Sequence, residues 1–579
     1  MERPTHADVL IVGGGPVGLL TAYQLARLGV SVHIVDKEPK LSLGNYGRAN
    51  AIYPRSTELL DQLSLADNLI QQCHICRDSY TYDENGKRVV PGRVWNFVEN
   101  IDDTWFDFAI MLRQQHVEKS FREHLMTFGV SLQCQTECID FEVVSPDREG
   151  NYIKTTLKDM ERGSEYIVKS KYLVGADGGK SFVRRHLNVP FEGDTTEDKW
   201  IRIDGKIKSN IPNPRAYGSI QSPTHGNVLW APLDRNITRI GYVFTREQEE
   251  RCHGNPTEEV VVKEAIAAMK PFEIEFQSVE WWTLYIIGQR VASTYQPHPR
   301  ILLVGDSCHT HSSGAAQGLN TGIHDATNLG WKLALVLKGL AKDTLLDTYS
   351  SERRGAAERL INFDRKISSL MANKWPDGLK KSGNEDINQA LEAAFNDAAG
   401  LVTGLKISYS PNIINVQSAD THFLASVTPG SRVPDVGLIK PGTLEQIRLH
   451  SATPNCACLY VVAFVGDPRT TIPRISSFSS YLQTQASFQH IFPSAAVRLL
   501  SIIAADPGLD VEDALGVEPF GTTYFDDKRN AHRRYGIDVR QGAILVLRPD
   551  GIVGFIAELE AAGGEAVTEY LNQFLVHRA

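Results

Sequence analysis

Glycines at fixed spacing and acids at strand ends are the residues of this chain best suited to chemistry. The run Gly13-Gly14-Gly15-Pro16-Val17-Gly18 separates an apolar stretch, residues 9–12, from a helical segment, residues 19–28. A second apolar run, residues 30–35, ends on Asp36, with Lys37 beside it. This is G-x-G-x-x-G with an acid about 20 residues on, the βαβ pattern that holds a dinucleotide. Gly13 permits the tight turn, Gly15 lets backbone approach a pyrophosphate, and Gly18 lets helix and strand pack closely. The helix start, at Pro16 and Val17, offers N–H groups and partial positive charge to that pyrophosphate. Asp36 is set to accept a ribose hydroxyl. The pattern does not choose between NAD and FAD.

Two further acids end apolar strands. Asp177-Gly178 follows residues 166–174 and could turn the chain back at the cofactor. Gly305-Asp306 follows residues 301–304 and could bind a ribose or ribitol hydroxyl. A helix over residues 320–338 comes next. The N–H groups of Gly318, Leu319 and Asn320 would then face a ring carbonyl that becomes anionic.

The elements that must position these groups read as a discontinuous α/β lobe. Residues 55–63 and 113–125 are helical, and residues 130–141 alternate as a strand. Residues 200–244 change to short alternating runs broken by turns, an antiparallel sheet. Asn255-Pro256-Thr257-Glu258 reads as a helix start with Asn255 as cap. The apolar strand at 301–306 returns to the first sheet. The polar stretch 373–385 reads as a boundary, and a small α/β unit follows. The domains are therefore FAD- or NAD-binding 1–190, antiparallel 191–290, dinucleotide-binding again 291–372, linker 373–409 and a last domain 410–579.

Bulk properties exclude several classes. The 579 residues carry a net charge of −9, with 42% hydrophobic and 22% charged side chains, so no basic nucleic-acid footprint exists. No apolar run reaches the roughly 18–20 residues of a membrane span. Glu2 and the immediate fingerprint argue against a cleaved signal peptide, and eight scattered cysteines imply reduced thiols and a cytoplasmic location. Cys73/Cys76 and Cys134/Cys138 lack a second metal-spaced pair, so no metal site is expected.

The blocks GGGPVG, GADGGKSFVRR and VGDSCHTHSSGAAQGLNTGIHDATNLGWKL resemble the three FAD motifs of class A flavoprotein aromatic hydroxylases. VEWWTLYIIGQRV and YFDDKRNAHRRYGIDVRQGAILVLRPDGIVG resemble the phenol 2-monooxygenase branch. The resemblance implies a Rossmann-like FAD lobe, an inserted antiparallel substrate lobe and a C-terminal thioredoxin-like domain. It implies bound FAD, transient NADPH, and O2 reacting to a flavin C4a-hydroperoxide that hydroxylates a phenolic or enolic substrate. A small aromatic or polyketide-type substrate of secondary metabolism and a homodimer are implied too. Gly13, Gly15, Gly18, Asp36, Arg48, Gln114, Asp177 and Asp306 match its cofactor positions, and Tyr285 its substrate-bonding tyrosine. A second dinucleotide fingerprint and a redox cysteine pair, marks of disulfide-reductase flavoproteins, are missing. Other oxygen insertions (epoxidation, decarboxylative hydroxylation, Baeyer–Villiger expansion) and a non-oxygenating reductase are the alternatives.

One position departs from the family. Asn50 stands where phenol 2-monooxygenases carry an aspartate that helps take the phenol proton. An amide cannot act as a base. Either the substrate is already acidic, or another group such as His225, His309 or His311 accepts the proton. The last domain has Cys456-Ala457-Cys458, one spacer short of C-x-x-C, so a redox role is not expected.

Overall fold

The computed structural model describes residues 4–90, 94–146, 150, 152–312, 314–376, 386–417 and 426–578. Glu2 and residues 377–385 of the expected boundary lie outside them.

The fingerprint folds as its periodicity predicts: strand His6–Val12, helix Pro16–Arg27, strand Val32–Val35. Proline suits the first helical turn, where no N–H is needed. Gly29, at φ 79°, reverses the chain after the helix. His6–Val12 pairs in parallel with Val32–Val35 on one side and Glu165–Gly175 on the other. Ile301–Leu303 pairs in parallel with Glu165–Gly175. The mid-chain strand thus rejoins the first sheet, and its acid arrives beside the fingerprint. Residues 130–141 are not one strand. They split into Leu132–Gln133 and Thr136–Val143, because Gln135 takes φ 51° and the chain changes partner strand there.

The second sheet is built on two 19-residue strands, Phe191–Ser209 and Ile274–Ala292, paired antiparallel. Three shorter strands, Thr238–Phe244, Gly226–Pro232 and Tyr217–Ser222, extend it antiparallel. It is neither wholly local nor wholly antiparallel. Ser79–Tyr82 joins Tyr217–Ser222 in parallel and covers backbone groups that would otherwise form an open edge. Alternation sends Ile201 and Ile203 into the core beneath helix Glu258–Ala268, with Val261 and Ala265. Trp200, Arg202 and Asp204 take the other face. Thr257, not Asn255, caps that helix, accepting from the Val260 N–H at 3.4 Å.

The third sheet centres on Leu459–Gly466, with Val497–Ile503 parallel and Ala543–Leu547 antiparallel beside it. Val553–Ala557 follows, and helices Pro468–Leu482 and Ala561–Asn572 complete a thioredoxin-like arrangement. This domain is tied to the first by buried ions. Arg548 meets Glu352 at 2.6 Å, where Lys332 of the first domain also reaches that carboxylate at 2.8 Å, and Arg432 meets Glu58 at 2.5 Å. Burial alone would raise the Glu352 carboxyl, but Arg548 and Lys332 hold it well below the usual carboxylate range.

Removing one member of such a network strands buried charge. Glu352→Ala is expected to cost about 3–5 kcal/mol, read by denaturant unfolding. A second test concerns His33, in the strand beside the fingerprint. Burial pushes its imidazole down to about 4 from an ordinary 6.5. Between those values the unfolded chain binds a proton that the folded chain does not. Stability therefore falls as pH drops through this window, by at most about 1.4 kcal/mol per pH unit, and is unaffected above it. His33→Phe should flatten that acid limb.

Candidate active site

The carboxyl ends of the first sheet and the inner face of the second enclose a cavity of about 980 Å³. At one end lies the glycine turn. A Cβ on Gly13, whose φ is 113°, would sit 2.2 Å from the Ala176 carbonyl oxygen. On Gly18 it would sit 2.0 Å from the Gly13 oxygen. On Gly15 it would meet nothing within 4 Å, because Gly15 faces the cavity. Val17 fills the space that side chains on Gly305 and Gly322 would need. The fingerprint and the Gly305-Asp306 turn therefore touch, and Asp306 lines the same cavity. That turn is braced from behind. Gly305 N–H donates to Asp325 Oδ2 at 3.2 Å, and Arg353 Nε donates to Asp325 Oδ1 at 2.7 Å.

Gly15, Pro16, Val17, Lys37, Arg48, Asn50, Gln114, Tyr285, Asp306, Gly318 and Leu319 all line this cavity. Gly13, Gly18 and Gly305 stand behind the wall as spacers. Two acids expected at the cofactor, Asp36 and Asp177, do not line it, and neither does Asn320, expected there through its N–H. Asp36 accepts from Gly14 N–H at 2.7 Å and Glu38 N–H at 2.8 Å, fixing the glycine turn. Asp177 accepts from Phe182 N–H at 2.6 Å and Val183 N–H at 3.1 Å, holding the start of the short helix Phe182–His186. Asn320 braces helix Gln317–Leu337 against Tyr53 N–H and the Ala51 carbonyl, at 2.8 and 3.0 Å. Short polar side chains satisfy nearby backbone groups readily, and sequence does not reveal which ones compete.

Gln114 is pinned. Its Oε1 accepts from Ala49 N–H at 3.2 Å and its Nε2 donates to Glu118 at 2.8 Å. Gly47, at φ 90°, leaves room for it: a Cβ there would lie 2.7 Å from the Gln114 Cβ.

The far end of the cavity is aromatic. Trp95 and Tyr217 stack at 4.1 Å, and Leu229, Ala231 and Tyr285 stand with them on the wall. Arg202 lies 5.7 Å from the Tyr285 ring and 5.0 Å from that of Trp200. Arg48 lies 5.9 Å from the Tyr285 ring. Burial raises the Tyr285 phenol above its ordinary value, against the opposing pull of Arg202 and Arg48. Trp95, Tyr217 and Arg202 were not singled out from the sequence. The alternation of Trp200, Arg202 and Asp204 with two isoleucines was the available signal for Arg202. Of the three histidines proposed as bases, only His311 lines the cavity, against Gly318. His309 is buried against Asp325 at 2.7 Å, and His225 against Glu264 at 3.1 Å.

Residues 6–364 match the family model for an FAD binding domain, and residues 508–579 that for a phenol hydroxylase C-terminal dimerisation domain. The chain belongs to the FAD-dependent aromatic hydroxylases. It is 29% identical to phenol 2-monooxygenase fsqG of Aspergillus fumigatus, over 96% of this chain and 94% of that one. It is 27% identical to 3-hydroxybenzoate 4-monooxygenase of Comamonas testosteroni, over 99% and 95%. Its fold matches aklavinone-11 hydroxylase, solved with FAD and aklavinone, at a TM-score of 0.72 and 23% identity over 99% of both chains. PieE, solved with FAD and substrate, matches at 0.73 and 19% over 99% of both.

The residues present suit FAD. The bare backbone at Gly15 opens on the cavity, the helix starting at Pro16 points there, and Asp306 stands on the same wall. Gly15→Ala should fold normally yet bind FAD at least about tenfold more weakly, since losing one phosphate approach is worth about 1.4 kcal/mol or more. Gly13→Ala should instead lose about 2 kcal/mol or more of stability, from strained backbone and the Ala176 contact. Thermal melts and flavin absorbance after desalting distinguish the two.

Proposed function

We propose that this flavoprotein uses NADPH and O2 to hydroxylate a phenolic or enolic carbon of a planar aromatic substrate, as a cytoplasmic homodimer. One observation carries the reading. The glycine cradle and the aromatic box are two ends of one cavity. At about 980 Å³ it stands at the upper end of the range for ligand pockets, in keeping with a large cofactor beside a substrate. The relatives' names supply phenol and 3-hydroxybenzoate, and a structural neighbour's title aklavinone, all aromatic. The match of residues 508–579 to a dimerisation domain supports the homodimer.

When bound, FAD would supply the redox chemistry that activates O2. The chain's own residues bind and orient. Tyr285 keeps its proton, because burial raises its phenol, and so donates a hydrogen bond to a substrate oxygen. Asn50 can donate or accept there but takes no proton. Trp95 and Tyr217, buried and stacked, offer a flat apolar wall that keeps water from the reacting carbon.

Purified FAD-loaded protein should oxidise NADPH faster with its phenolic substrate, and the product should carry one atom from labelled O2 per NADPH consumed. Tyr285→Phe should lower kcat/KM by about ten- to a hundredfold, the loss of one hydrogen bond to a developing charge. Stoichiometric hydrogen peroxide with every phenol tried would overturn the reading in favour of a non-oxygenating reductase. A product with a lactone or epoxide oxygen would replace hydroxylation by another insertion.

A further inference from the structure

The cavity is far more cationic than the protein around it. Eight lysines and arginines line it against one carboxylate, that of Asp306, among the described residues, although the chain carries a net charge of −9. The two phosphates of a dinucleotide neutralise only part of this. Lys180, Arg184 and Arg185 follow the strand that meets the glycine turn, so they belong to the nucleotide end. Arg202, Arg239 and Arg290 come from the second sheet, the substrate side, and Arg290 is held on its own strand pair, its Nη2 donating to Thr195 Oγ1 at 2.8 Å.

Arg239 and Arg202 differ from each other. Arg239 is a frame element: its Nε and Nη2 donate to Asp204 at 2.6 and 2.8 Å, and its Nη1 donates to the Arg48 carbonyl. Arg202 sits on the cavity wall beside Tyr285, only 5% exposed, with its Nη1 donating to the Ile201 carbonyl at 3.3 Å. Its place is built into the sheet. Gly241 faces it across the strand pair, and a Cβ on Gly241 would lie 2.3 Å from Arg202 Nη1 and 2.7 Å from Cζ. Any other residue at 241 would push the guanidinium away. A buried guanidinium held over two rings is suited to a planar anion, through paired N–H donors and a low-dielectric surround. Asn50, on the same wall, supplies no competing negative charge.

We infer that Arg202, seated on Gly241, anchors and selects the substrate, which binds as an aromatic anion bearing a carboxylate or ionised enol beside its hydroxyl. This rests on the aromatic-substrate reading above and extends it to charge. Where that anion is an ionised enol, the reacting oxygen has already lost its proton and needs no protein base at position 50.

The test uses FAD-loaded enzyme without NADPH. Two probe pairs, 3-hydroxybenzoate with 3-hydroxybenzamide and 1-hydroxy-2-naphthoate with its amide, are titrated by the change in flavin absorbance and in tryptophan fluorescence. In at least one pair the acid should bind at least about tenfold more tightly than the amide. Arg202→Met should bring the two within about twofold, and Arg202→Lys should keep part of the preference. Gly241→Ala should lose it as Arg202→Met does, although every charge remains in the chain. Thermal melts report whether each variant is folded; if Arg202→Met is not, the wild-type ratio, Arg202→Lys and Gly241→Ala decide. Equal affinities in both pairs, no binding by either acid, or an unchanged preference in the folded variants would overturn the inference. Because nothing is oxidised in this assay, its failure leaves the oxygenase reading to its own turnover test.

Discussion

Two backbones meet at Gly13 and Ala176 too closely for a side chain to stand between them. That approach sets the width of the groove at the carboxyl ends of the parallel strands. The sheet hydrogen bonds between His6–Val12 and Glu165–Gly175 hold the two chains there. Val17 is then pressed onto Gly305 and Gly322, which brings the distant acid turn to the same groove. A larger residue at any of these contacts would open the groove or twist the sheet.

The acid turn depends in its own way on charge. Asp325 holds the Gly305 N–H on one side and Arg353 on the other, wholly buried. Arg353 and its neighbour Glu352 point into two adjoining networks, and Glu352 carries the contact to Arg548 of the last domain. One turn of helix Asp347–Met371 therefore joins the cofactor end of the first sheet to the C-terminal domain. In a low-dielectric interior such pairs are worth keeping only if every member is present. The domain with the thioredoxin-like arrangement is thus bonded to the first through ions rather than through cysteine chemistry.

The second sheet divides its faces by alternation. One face packs isoleucines beneath a helix, and the other gives the cavity Tyr217, Tyr285 and Arg202. This places polar recognition groups on rigid strands instead of loops, where their rotamers are held by neighbouring rings.

Local signals were strong enough to read several features directly. The glycine spacing, the apolar strands and the helix expected over 320–338 follow from short-range periodicity, and the structure forms each of them, the helix starting three residues early at Gln317. The return of residues 301–303 to the first sheet was legible because an apolar run ending on an acid suits a buried parallel strand. Less was legible where a side chain chooses between near neighbours. Asp36, Asp177 and Asn320 bond backbone groups within reach, Thr257 displaces Asn255 as cap, and Gln135 breaks a run that alternates correctly. Trp95 and Arg202 reach one wall only because residues far apart in the chain pair as strands or stack as rings. By itself the sequence determined the dinucleotide cradle, since backbone geometry at glycine is a local property. The tertiary structure alone decided which cations face the cavity, because that depends on the space left by Gly241 on a neighbouring strand, and no spacing rule records it.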